Sequence, residues 1–152
     1  MIIKTSLRNN DNITHRIAES IRANDFSTYQ HERYPAIQEG ELVRFTDEDF
    51  SGVDFGQFVM GFFVFENCNL DDAKHIYGQP IYFINSSVRN VDFRDVKAII
   101  EAKDCDFRGM KYDKETQFVY GSGKLAARSR FINCKLDDET RDFLGQQGIE
   151  IN

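Results

Sequence analysis

From Phe45 onward a large apolar residue returns at every fifth position, through Phe50, Phe55, Met60 and Phe65 to Leu70. A helix repeats its faces about every 3.6 residues and a flat strand about every 2. A sustained period of five fits neither, so the backbone must turn a corner at each repeat. The neighbours repeat as well. Val53-Asp54-Phe55, Cys68-Asn69-Leu70, Val91-Asp92-Phe93, Cys105-Asp106-Phe107 and Cys134-Lys135-Leu136 each set a small residue two before the large one. In all but the last, Asp or Asn stands between them.

This pattern resembles the pentapeptide-repeat family, whose loose motif is a small residue, Asp or Asn, Leu or Phe, then two variable positions. The resemblance covers residues 41–114 and 129–138. It implies a mainly β fold, a right-handed square β-helix of about five coils with about four repeats in each. The centre residue and the small residue two before it would point inward and the other three outward. Two positions depart from the motif: Met60 follows Phe58-Val59, and His75 stands where an apolar centre belongs.

Longer echoes set the coil length. Phe65-Glu66-Asn67-Cys68-Asn69-Leu70 returns 18 residues later as Phe83-Ile84-Asn85-Ser86-Ser87-Val88, and again as Phe131-Ile132-Asn133-Cys134-Lys135-Leu136. Cys105 follows Ser86 by 19, whereas Cys134 follows Cys105 by 29. Coils of 18 to 20 residues therefore predict an inserted loop near 115–127. Its Gly121-Ser122-Gly123-Lys124 is not a phosphate loop, because Phe118 replaces the earlier glycine and Leu125 replaces the Ser or Thr after the lysine. The same register puts Lys74 between Asp54 and Asp92.

Stacking accounts for residues that otherwise look functional. Asn67, Asn85 and Asn133 fall at corners, where Asn tolerates a left-handed backbone. Cys68, Cys105 and Cys134 take the inward small position as buried thiols, and their spacings of 37 and 29 match no zinc pattern. The phenylalanines read as internal stacks. Around the repeats, residues 1–40 form an N-terminal cap with one helix, begun at Asn12 and carrying the stripe Ile13, Ile17 and Ile21. Tyr29 to Gly40, with Pro35, reads as a linker. Residues 41–138 are the repeat body, and 139–152 a C-terminal cap with a short helix from Asp137-Asp138-Glu139 to near Gly145, docked by Phe143 and Leu144. The final Gly-Ile-Glu-Ile reads as a short strand.

The longest mostly apolar stretch, Phe58 to Phe65, is eight residues, far short of the roughly 20 that span a bilayer. The N-terminus shows no charged region followed by an apolar one, so a cytoplasmic location is expected and a membrane partner is not. His15, His31 and His75 lie far apart with no metal or nucleophile motif around them, and His31-Glu32 reads as a solvated turn. The expectation is a protein that is not an enzyme, with no catalytic residue, no metal and no cofactor.

Charge is uneven. The net −6 arises in 46–73, which holds seven acids and no Lys or Arg, while no acid occurs between Glu115 and Asp137. Two binding readings follow. The first is a protein-binding scaffold, an adaptor or inhibitor of bacterial or bacteriophage type, whose specificity lies in the caps and in the loop and basic patch of Tyr120, Lys124, Arg128 and Arg130. The second comes from the family resemblance. Some pentapeptide-repeat proteins imitate duplex DNA and bind gyrase-type topoisomerases or other DNA-handling enzymes, here through an acidic face of Asp47, Asp49, Asp54, Glu66, Asp71 and Asp72. DNA over the roughly 20 Å of the repeats would show about 12 charges, but 41–136 holds fifteen acids against thirteen bases. Mimicry is therefore at most partial and the scaffold is favoured. The partner expected is another protein, with no direct nucleic acid at a pI of 5.1; a dimer is compatible with this reading.

Overall fold

The computed structural model describes residues 11–38, 42–58 and 63–152. Met60, one of the five-residue centres, lies outside them, as do residues 1–10 and 39–41. Six strands form a parallel sheet in the order β1 (Val43–Thr46), β2 (Phe63–Glu66), β3 (Gly78–Ile84), β4 (Ala98–Lys103), β7 (Arg130–Ile132), β8 (Glu150–Ile151). Val43 pairs with Phe63, Phe63 with Ile81, Ile81 with Ile100, Glu101 with Arg130, and Arg130 with Glu150. Alternation turns Phe45, Phe65 and Phe83 into one inner column. Ring centroids in that column stand 5.2 and 5.3 Å apart, nearly parallel.

Between strands the chain leaves the sheet and meets its neighbours again only through single parallel bridges. One row runs Asp49, Asn69, Ser87, Asp106, Lys135, and another Asp54, Lys74, Asp92, Lys111. Lys74 thus stands between Asp54 and Asp92, as the register requires. Phe50, Phe55, Leu70, Val88, Phe93 and Phe107 are completely buried. Each such large side chain contributes about 1.5–3 kcal/mol on burial.

These elements correct the expected fold class. Among the described residues, continuous strands on the main body occupy one side only, with three α-helices beside them. The architecture is α/β, with an open six-stranded parallel sheet, in place of a mainly β, closed square β-helix. The remaining sides are broken every few residues by left-handed corners at Asp72, Asn90, Asp95 and Gly109, which stop strands from extending.

Helix α1 (Asp11–Arg22) buries Ile17 and Ile21 and contacts β1. Asn12 lies within it rather than before it. Helix α2 (Phe26–Gln38) replaces the expected linker and contains Pro35. Its start is capped by Asp25, which accepts from the Thr28 amide at 3.1 Å and from the Thr28 hydroxyl at 2.6 Å. Tyr29 docks it edge-on against Phe58, with centroids 4.7 Å apart. Helix α3 (Asp138–Gln146) buries Thr140 and Leu144 and stacks Phe143 on Tyr112 at 4.2 Å.

His75 is the other local departure. Its backbone is left-handed (φ 58°) and its side chain half-exposed, while Ile76 is fully buried in its stead. A one-residue shift keeps an apolar group inside.

Candidate functional site

The 29-residue step between Cys105 and Cys134 is absorbed by a hairpin whose arms, β5 (Val119–Tyr120) and β6 (Ala127–Arg128), pair antiparallel. Its tip turns at Gly121 (φ 86°) and Gly123 (φ 69°) through one short 3-10 turn, Gly123–Leu125. The excursion is shorter than the 115–127 expected from spacing. Thr116 and Phe118 belong to the packed body: Thr116 Oγ1 donates to the Phe93 carbonyl at 2.7 Å, and Phe118 is fully buried 5.2 Å from Phe93.

The hairpin's base is fixed. Ser129 donates its amide to the Phe118 carbonyl at 3.0 Å, and its buried hydroxyl accepts from Ile100 at 2.9 Å. Gln147, just after α3, accepts from the Phe118 amide at 3.0 Å and donates to the Thr116 carbonyl at 2.9 Å. The tip is bare. Leu125 is 98% exposed and Tyr120 59%, in a chain whose only other exposed large apolar side chain among the described residues is Phe26. The hairpin thus sets an exposed apolar tip on a hydrogen-bonded base.

The basic residues assigned to this patch divide by role. Arg128 donates to the Gln147 carbonyl at 3.2 Å and lies across Gly148, where any Cβ would come within 2.8 Å of its guanidinium. Arg130 pairs with Glu150 across the sheet at 3.0 Å. Both brace the hairpin's foot. Lys124 forms no ion pair among the described residues and stands at the tip beside Leu125.

The six carboxylates of the expected acidic face do not gather on one side. Glu66 lies on the sheet, paired with Arg44, and Asp47 follows at the left-handed corner after β1. Asp49 sits on the next row and caps its own turn through the Ser51 amide at 2.9 Å; that bond holds its carboxyl below the usual range. Asp71 accepts from the Ser87 hydroxyl at 2.6 Å and the Arg89 amide at 2.8 Å, and Asp72 turns the following corner. Asp54, on a third side, accepts from Gly56 at 2.8 Å and faces His75 Nδ1 at 2.8 Å. Partial burial pushes the Asp54 carboxyl up, and those hydrogen bonds outweigh it, leaving it lowered.

Sequence reasoning passed over Glu48, which ties α1 to the sheet through Arg22 at 2.7 Å and His15 at 3.1 Å. No spacing rule connects residues 26 and 33 positions apart, so only the folded chain shows this clasp. Among the described residues no group of three or more His, Cys, Asp or Glu side chains is placed to hold a metal ion, and no helix is long and apolar enough to cross a membrane. No protein-family profile and no curated protein matches the chain.

Proposed function

We propose that this protein is a non-catalytic protein-binding scaffold, an adaptor or inhibitor, that engages its partner through the tip of the β5–β6 hairpin. The observation that carries this is the exposure of Leu125 on a base locked by Phe118, Ser129 and Gln147. A leucine held in water gains on transfer into a partner's pocket, and a preorganised loop loses little entropy when it binds. Lys124 beside it favours a pocket with an acidic rim. The kinship with pentapeptide-repeat proteins remains part of this proposal and rests on the five-residue period. Partial imitation of DNA has less support, since its six carboxylates are spread over several sides and Lys74 alternates with Asp54 and Asp92.

The test is photo-crosslinking from a reactive residue at position 125 in bacterial lysate, repeated with Lys124→Glu and with a reactive residue on the opposite side at Asp72. The expected result is one protein captured from 125, lost with Lys124→Glu and absent from 72. Capture from 72 but not from 125 would overturn the proposal and favour the acidic side.

A further inference from the structure

Three thiols stand in the inward small position, and two of them are immediate neighbours. Asp106 pairs with Lys135, the Lys135 amide donates to the Cys105 carbonyl at 2.9 Å, and the Asp104 amide donates to the Ile132 carbonyl at 3.0 Å. Cys134 therefore lies directly over Cys105. Their side chains turn the same way: each Sγ donates to the carbonyl two residues back, Lys103 at 3.2 Å and Ile132 at 3.4 Å. Neighbouring strands are about 4.8 Å apart, inside the Cα separation of roughly 4.4–6.8 Å that a disulfide bridges. The third thiol is set apart. Ser86 intervenes between Cys68 and Cys105, accepting the Cys68 amide on its hydroxyl at 3.1 Å and donating its own amide to Cys105 Sγ at 3.4 Å. Two strand spacings, about 9.6 Å, are too far for a bridge.

We propose that Cys105 and Cys134 form a thiol–disulfide site, oxidised by a peroxide to an intramolecular bond that closes the loop carrying the β5–β6 hairpin. A shallow groove lined by Asn85, Asp104, Asp106, Asn133 and Lys135 includes both cysteines in its lining. Cys134, on the last turn of its row, is the less buried of the pair and supplies the first thiolate. The Cys134 sulfur attacks one peroxide oxygen and the O–O bond breaks, giving a sulfenic acid and hydroxide. The Cys105 sulfur then attacks the sulfenic sulfur. The S–S bond forms and the S–O bond breaks, the Cys105 proton leaves with the sulfenic hydroxyl as water, and the proton that Cys134 gave up on ionising neutralises the first hydroxide as a second water. Two thiols lose two electrons and one peroxide gains them.

The bond would join the two residues that flank the hairpin excursion and tie down its foot from the core side. This inference is independent of what the hairpin binds.

The experiment treats the full chain with hydrogen peroxide and reads intact mass, then maps disulfides after alkylation under denaturing conditions. The expected result is the loss of two hydrogens, a peptide pair joining Cys105 to Cys134, Cys68 fully alkylated, and complete reversal by dithiothreitol. Cys68→Ser should behave identically, and Cys105→Ser should leave a sulfenic acid at Cys134 that dimedone captures. Oxidised protein should unfold at higher denaturant than reduced protein, because the closed loop restricts the unfolded chain. A bond involving Cys68, intermolecular dimers, or thiols that survive peroxide in the folded wild-type chain would each overturn the proposal. The wild-type mapping decides the matter even if a serine variant fails to fold.

Discussion

Asp92 and Arg94 form a two-pronged ion pair, with Nε 3.0 Å from Oδ1 and Nη2 2.7 Å from Oδ2. The same geometry recurs between Asp106 and Arg108, in the neighbouring row of bridges. Each arginine neutralises the carboxylate that begins its own turn.

That pairing has a pH consequence. The Arg94 guanidinium beside Asp92 lowers its carboxyl from 3.8 to about 2. A lowered folded value means that the stabilisation is complete above the ordinary carboxylate range and is lost as pH falls through the folded value. Arg94 is largely exposed, so solvent screens the pair and its contribution is small. Asp92→Asn should therefore differ from wild type by a constant amount above about pH 5 and converge with it toward pH 2, as read by urea melts. A gap that stays constant down to pH 2 would remove Arg94 as the cause.

His15 behaves with the opposite sign. Its hydrogen bond to Glu48, with the charges of Glu19 and Glu48 added, raises it above 6.5. The contribution of this contact to α1 docking is complete below 6.5 and is lost as pH rises through the folded value. NMR titration should place the His15 midpoint above 6.5 and return it toward 6.5 in Glu48→Gln. A wild-type midpoint at or below 6.5 contradicts the contact.

Leu70 and Asn69 separate inside from outside. Leu70 is fully buried between neighbouring turns, and Leu70→Ala should cost about 2–5 kcal/mol. Asn69 is exposed and accepts one amide hydrogen bond from Asp71 at 2.9 Å. Asn69→Ala should cost no more than about 1 kcal/mol in the same denaturant melts. Equal losses at both positions would show that the inward column is misassigned.

The hairpin tip should be dispensable to the fold. Replacing residues 121–126 by Asn-Gly joins Tyr120 to Ala127 through a two-residue turn, and the unfolding free energy should change by less than about 0.5 kcal/mol. Phe118→Ala, at the hairpin's foot, should cost about 3–5 kcal/mol. Comparable losses from the two changes would place the tip within the core.

What the sequence disclosed and what it hid follow from the range of the forces involved. The inward positions of Phe45, Phe50, Phe55, Phe65 and Leu70 were legible because burial repeats with the chain's own period, and so was Lys74 between two aspartates. The fold class was not, because a period of five records where corners fall but not which sides between them become continuous strands. Helix α2 was hidden by Pro35 and by a mixed pattern without a clean stripe; its start at Asp25-Phe26-Ser27-Thr28 was a readable cap that the linker reading passed over. At the candidate site the spacing of 29 exposed an insertion. It did not show that Phe118 turns back into the core before the hairpin leaves it, since one buried aromatic carries no periodicity.

The sheet register also bears on how the chain reaches its fold. Each pairing joins segments only 18 to 29 residues apart, as in Phe63 with Ile81 and Glu101 with Arg130. Closing loops of that size costs little more entropy than closing shorter ones, so a parallel sheet, ordinarily slow to assemble because its partners are remote, is here built from near neighbours. Near-neighbour pairing lets growth proceed strand by strand from any formed pair, and the end strands should exchange their amide hydrogens before the middle ones.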